Sequence, residues 1–476
     1  TDKSVLDKCV PGYYHRRSED GAIEASTCAN NTATERYMMA RLVCDSVLHW
    51  VTQHHVDGFR FDLMGHIPLW VMRKVRDKLD SLRPELHGRD GRQILLYGEG
   101  WEFGEVANGQ RGCTAVQQKL GGTSIGAFND RIRDATLGGS PFTDPRLQGF
   151  ATGLLMRKQS AGADQGTGRE QEARLRKAQD TIRISLAGSL KDFSFTNCKG
   201  ETLRGDQHFN EGLAYTKQPV EAINYVSAHD NETLYDNTVW KMLPGSFTPL
   251  ERMRGNWIAT SLVALAHGIP FFHAGDEVLR SKSLDRDSYN SGDWFNVLDF
   301  SGEKSAFGVG LPPKSKNGHH WHMMRPILRE TTARPSVEMV AATKAKFREL
   351  LRLRRSTALI GLTSAEDILE KVTFPGGGPL QKLGLILMQI CNNNAEKKPI
   401  CQHFARVVIV FWAGFETLRV SVPRASPHLA GGTFPLRLHP LQETSSDPVT
   451  RQAHVDGDTL VVPPQTTAVF VEDLLR

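Results

Sequence analysis

In "HHVDGFRFDLMG", residues 54–65, Val56 is followed by Phe59, Phe61 and Leu63 at every second position, an alternation that predicts a strand. Arg60 and Asp62 occupy intervening positions, and ionised groups in a strand are costly unless they are paired or face a polar cleft. The pattern predicts a carboxylate delivered to a site. Apolar spacing in "TERYMMARLVCDSVLHW" (Met38, Leu42, Leu48) predicts a helix before this strand, over 34–50. Val71, Val75, Leu79 and Leu82 predict an amphipathic helix after it. "QILLYGEGW" then supplies a second short apolar run, which completes a β, α, β order.

The same beat recurs in "IGAFNDRIRDA" (125–135), "EAINYVSAHDNETL" (221–234) and "HGIPFFHAGDE" (267–277), with a helix predicted over "RMRGNWIATSLVALA". Apolar strands that end in polar or glycine-bearing turns are what a (β/α)8 TIM-type barrel presents at its catalytic face. A doubly wound sheet competes, but no G-x-G-x-x-G follows any strand. Residues 158–180, small and polar before turning charged, predict an exposed insertion. After a helix over 338–355 the texture changes. "RVVIVFWAGF", "TLRVSVP", "FPLRLHP", "DTLVVPP" and "TTAVFVED" read as short strands of a C-terminal antiparallel β-sandwich. The expected domains are 1–355, part of an α/β barrel, and 356–476, the sandwich.

Composition narrows the function classes. The 476 residues are 39% hydrophobic and 23% charged, near the globular average. No run of eighteen apolar residues predicts a membrane span. The net charge of +5 is dispersed among acidic residues, so neither nucleic acid nor membrane is an expected partner. Seven cysteines, odd in number and without a C-x-x-C pair, indicate neither a zinc site nor a disulfide framework and point to a reducing compartment. Asn231 opens the sequon Asn-Glu-Thr beside candidate catalytic residues, a further reason not to expect secretion.

Asp62, Glu99 and Asp230 each close a predicted strand region. Three carboxylates on one rim suit glycosidic cleavage, which needs a nucleophile, a proton donor and negative charge near an oxocarbenium-like centre. Taken alone, Asp62 would by default be a capping or salt-bridged residue, Glu99 a turn residue and Asp230 with His229 a satisfied polar cluster. The flanking residues at all three places argue otherwise.

"VDGFRFDLMGH", "YGEGW" and "VSAHDNETL" resemble three signature regions of the α-amylase superfamily in the form seen in pullulanases and limit dextrinases. "SVLDKCVPGYYHRR", "GIPFFHAGDEVLRSKSLDRDSYNSGDWFN" and "GVGLPPKSKN" resemble the limit dextrinase branch, the starch-debranching enzymes of plants and green algae. The resemblance implies that Asp62 is the nucleophile, Glu99 the general acid and base, and Asp230 the transition-state stabiliser. It implies substrate-binding roles for Arg60, Trp101, Phe103, His229, Asn290, Asp293 and Trp294. A branched α-glucan is the implied substrate, cut at α-1,6 linkages with retention, the carboxyls about 5–5.5 Å apart. It also implies a plastid location. No cofactor is needed for the chemistry, and the resemblance allows a structural calcium ion, although no D-x-D-x-D-G loop locates one. His319, His320 and His322 match no standard zinc spacing.

The family's first signature, an Asp-Val-Val-Tyr-Asn-His-like segment, is absent, and five strands cannot close an eight-stranded barrel. The chain is expected to be the C-terminal portion of a larger protein, carrying barrel strands four to eight. A non-catalytic glucan-binding or regulatory relative, and an isoamylase-like debrancher or transglycosylase, stay open as alternative readings.

Overall fold

A computed structural model describes residues 5–157, 162–210, 212–392, 399–422 and 435–474. The chain forms two compact units, Thr1–Phe128 with Tyr215–Ile223, and Asn129–Ala214 with Asn224–Arg476. The expected boundary at 355/356 is not where these units part.

In the first unit the helix Tyr37–His54 leads into β1 (Gly58–Phe61), and the helix Leu69–Asp80 leads on to β2 (Leu95–Gly98). β1 and β2 pair in parallel, with Arg60 opposite Tyr97 and Phe61 opposite Gly98. β3 (Gly126–Asn129) pairs in parallel on the other side of β2. The second helix buries Val71, Val75 and Leu79 as its spacing predicts. The first does not follow its predicted face. Met38 and Leu42 are exposed, and the buried stripe is Met39, Ala40, Cys44, Val47 and Val51.

The second unit holds the short hairpin β4 (Ser194–Thr196) and β5 (Thr202–Arg204). β6 (Ala222–Asn224), whose first two residues belong to the first unit, and β7 (Ile269–Pro270), in the second, fall where apolar runs predict them. Within this unit the Asn224 carbonyl accepts from the Phe271 N–H at 2.8 Å. The Asn224 amide donates to the His267 carbonyl at 2.8 Å, while Asn129 Nδ2 donates to Asn224 Oδ1 at 2.9 Å. These buried amides satisfy one another at the strand ends, where an unpaired polar group would be costly.

Most of the expected insertion is structural. Residues 158–161 lie outside the described residues, and the charged remainder enters the helix Gly168–Leu186, started by a Thr167/Glu170 capping box. Its inner face carries Asp180 and Arg183, both buried and paired at 2.7 Å, with Gln381 Oε1 accepting a further Arg183 bond at 2.7 Å. A buried pair is tolerable because both partners are hydrogen-bonded.

Toward the C-terminus, β8 (Val372–Thr373), β9 (Leu385–Cys391), β10 (Phe404–Trp412), β11 (Leu418–Ser421), β12 (Arg437–Leu438), β13 (His454–Asp456), β14 (Thr459–Val462) and β15 (Thr466–Asp473) form two antiparallel sheets. Their orders are β12-β15-β10-β9-β8 and β11-β14-β13. β10 is buried at all nine positions. Val407, Ile409 and Phe411 face a core shared with Ile258 and Leu262 of the helix Pro249–Ala264 and Leu350 and Leu353 of the helix Val337–Ser356. Val408, Val410 and Trp412 face the other way, toward Leu418, Leu460 and Val462 of the smaller sheet. β10 thus holds two cores at once. Phe411→Ala is expected to cost about 3–5 kcal/mol, read as a lower denaturant midpoint. An unchanged midpoint would contradict this packing.

Candidate active site

Because β1 and β2 pair in parallel with Phe61 opposite Gly98, the residues that follow, Asp62 and Glu99, leave their strands side by side. The Glu99 N–H continues the ladder to the Phe61 carbonyl at 3.2 Å, and the Gly65 N–H donates to the Glu99 carbonyl at 2.7 Å. Leu63 takes a left-handed conformation (φ 45°) directly after Asp62, which is strained for a branched residue. Its N–H thereby reaches Glu99 Oε2 at 2.7 Å. Gly65 is required here, since a Cβ would fall 1.9 Å from the Trp101 carbonyl oxygen.

Arg60 joins the two carboxylates. Its guanidinium donates to Glu99 Oε1 at 2.9 Å and is also ion-paired with Asp62. The guanidinium carbon lies 5.8 Å from the centre of the Phe128 ring, a cation–π arrangement. The environments of the two acids differ sharply. The Glu99 side chain is 11% exposed and that of Asp62 78%. Trp101 stacks on Phe128, ring centres 6.5 Å apart and planes 22° apart. Phe103 meets His66 edge-on at 4.7 Å. Asp62, Glu99, Arg60 and Trp101 therefore share one neighbourhood in the first unit.

Sequence reasoning missed the cluster next to Phe103. Glu105 accepts from Arg16 Nη1 at 3.0 Å, from Asn31 Nδ2 at 2.7 Å and from Ser26. Burial pushes its carboxyl up, but the bonds from Ser26 and Arg16 outweigh burial and hold it at about 2. Arg16 also donates to the His66 carbonyl at 2.6 Å. The only sequence signal was the quoted "GYYHRR" stretch, which nothing in its periodicity connects to a strand end eighty residues on.

In the second unit His229 and Asp230 follow β6 on an exposed loop, with His229 Nε2 3.6 Å from Asp230 Oδ1. Ser227, three residues before Asp230, donates its hydroxyl to the Asp276 carboxylate, 2.9 Å from either oxygen. The other sequence-predicted residues lie on a separate loop. The Asn290 amide oxygen accepts from Lys316, Asp293 begins the short helix Asp293–Asn296, and Trp294 is 64% exposed beside a cavity of about 270 Å³ with Arg280 and Val297. Among the described residues no group of three or more His, Cys, Asp or Glu could hold a metal ion.

A parallel α/β region with paired acids at adjacent strand ends, followed by antiparallel β-sheets, is the layout that the resemblance to the α-amylase superfamily implies. The comparisons with known proteins agree with it. Residues 302–473 match the family described as alpha-1,6-glucosidases, pullulanase-type, C-terminal. Over 99% of its length the chain is 48% identical to the chloroplastic pullulanase 1 of Arabidopsis thaliana, covering 49% of that protein. It is 33% identical to a Klebsiella pneumoniae pullulanase, again over 99% of the chain and 42% of the relative. The crystal structure of Klebsiella pneumoniae pullulanase complexed with maltotriose superposes on the whole chain with a TM-score of 0.87 at 30% identity, 44% of that structure being covered. The chain is similar to pullulanases along nearly its whole length, and it spans about half the length of the curated relatives it matches.

Asp276 gives this region a pH signature. Burial raises its carboxyl to about 7, against the lowering effect of the bonds from Ser227 and the His273 N–H. Because its ordinary value is near 3.8, the folded chain holds this proton more tightly than the unfolded chain between about pH 4 and 7. Stability from this group is full below that window and is lost as pH rises through it. Thermal midpoints of the native protein are expected to fall relative to those of Asp276→Asn across the window, and parallel pH profiles would contradict this.

Proposed function

We propose that this chain carries the catalytic carboxylates of a retaining glycoside hydrolase that cuts α-1,6 branch linkages in limit dextrins, amylopectin or pullulan. The observation that carries the proposal is the Arg60 guanidinium shared by Asp62 and Glu99 at neighbouring ends of parallel strands. It is supported by the pullulanases among the relatives, which favour a hydrolase over a non-catalytic glucan binder. Barrel strands four to eight are the reading we give β1, β2, β3, β6 and β7. The plastid is the proposed location, since the Arabidopsis relative is chloroplastic.

In the proposed reaction an Asp62 oxygen attacks the anomeric carbon as its bond to the branch oxygen breaks. The aglycone oxygen takes a proton from Glu99, leaving a β-linked glycosyl ester on Asp62. Glu99, now a carboxylate, takes a proton from water, which attacks the same carbon and releases Asp62. Asp230 supplies negative charge to the oxocarbenium-like transition state, and His229 contacts sugar hydroxyls. Arg60 orients Asp62 through their ion pair, while exposure leaves Asp62 accessible to a sugar ring. Trp101 and Phe103 offer flat apolar faces to glucose, and Asn290, Asp293 and Trp294 contact more distant units. The chemistry moves protons and electron pairs only and requires no cofactor.

Asp62→Asn is expected to reduce pullulan hydrolysis to background. Glu99→Gln is expected to lower it by about 10²–10⁴-fold while retaining more activity on α-glucosyl fluoride, whose leaving group needs little protonation. Reducing-end and fluoride-release assays on the protein check both. Near-native turnover by Asp62→Asn would remove the assignment.

A further inference from the structure

We infer that Lys282 is a positioning residue that holds Asp230 in register for the transition state, an inference that rests on the role proposed for Asp230. The loop after β6 runs from Tyr225 to Thr233, whose hydroxyl caps the helix Leu234–Lys241. Near its middle Asp230 projects a carboxylate that is 57% exposed. Asn231, the next residue, takes a left-handed conformation at φ 60°. A solvent-exposed carboxylate has little side-chain packing to orient it, so its aim depends on how firmly the backbone on either side is held.

Lys282 holds that backbone on both sides. Its side chain is buried, the residue being only 1% exposed. Nζ donates to the carbonyl of His229 at 3.2 Å and to that of Asn231 at 2.6 Å, the two residues that bracket Asp230. The lysine is itself fixed. Its N–H donates to Asp236 Oδ2 at 2.7 Å, and the same oxygen accepts from the Leu284 N–H at 3.3 Å, with Ser281 Oγ on Oδ1 at 2.5 Å. Asp236, fully buried, lies on the helix that Thr233 starts, so the lysine is anchored to the helix that directly follows the loop it holds. On the other side of His229, Ser227 is tied to Asp276.

Burying an ammonium is expensive, and here burial lowers the lysine's pKa against the pull of Asp236, Asp285 and Glu232. Most of what it gains locally is the geometry of two carbonyls beside one exposed acid. A misplacement of about 1 Å at a reacting centre can cost about 10²-fold in rate, so that geometry bears on turnover more than on substrate affinity.

Lys282→Met keeps the aliphatic stem and removes the donors. With the protein still folded by circular dichroism, kcat on pullulan is expected to fall about 10²-fold while KM changes by less than about threefold. The inhibition constant of a cationic iminosugar that mimics the oxocarbenium ion should rise in parallel with the loss in kcat/KM, since such a mimic reports transition-state binding. Should the Met variant fail to fold, Lys282→Gln, which retains a neutral donor, is measured in the same way and is expected to fall between the two. If Asp230→Asn is inactive but folded Lys282 variants keep kcat within twofold and bind the iminosugar normally, this inference is overturned and the role of Asp230 stands. If Asp230→Asn keeps native turnover, that role fails and the inference fails with it.

Discussion

The shared guanidinium of Arg60 is the interaction on which the candidate site depends. Two carboxylates at adjacent strand ends repel, and one of them, Glu99, is largely removed from water. Without a cation between them, the two side chains would be pushed apart. Arg60 stands one register position before the strand ends, opposite Tyr97, so its fork reaches both acids from inside the sheet. A lysine at this place would offer a point charge rather than a planar fork.

Around that pairing the backbone is shaped for close approach. Leu63 adopts a left-handed conformation so that its N–H meets Glu99, and Gly65 lets the turn after β1 touch the turn after β2 at the Trp101 carbonyl. Phe128 gives Trp101 a stacking partner and Arg60 a π-face. Strain of this kind persists only where surrounding contacts over-determine it, and it concentrates at functional sites.

The parts of the fold legible in the sequence were those carried by short-range pattern. "GFRFD" and "YGEGW" disclosed strands ending in acids, and Val71, Val75 and Leu79 disclosed a helix face, because periods of two and near four are local properties. The face of Tyr37–His54 was misread because apolar residues lie all round it, and only tertiary contact selects Met39 and Val47 over Met38 and Leu42. β9 escapes the pattern because "LGLILMQIC" is apolar at nearly every position but Gln389, as in a strand buried on both faces, and so lacks alternation. The charged residues of Gly168–Leu186 looked solvated, although Asp180 and Arg183 neutralise each other inside the core. The Arg16–Glu105 pair and the Lys282 clamp join residues far apart in sequence, and no local pattern announces such contacts.

The central claim, that Asp62 forms a covalent bond to the sugar, is tested most directly by trapping. The protein is incubated with a fluorinated α-glucosyl fluoride that forms the ester readily but hydrolyses it slowly, then digested and mapped by mass spectrometry. The account predicts one added glycosyl mass, on the peptide containing Asp62. A label on a different carboxylate, or continued turnover with no label, would contradict it.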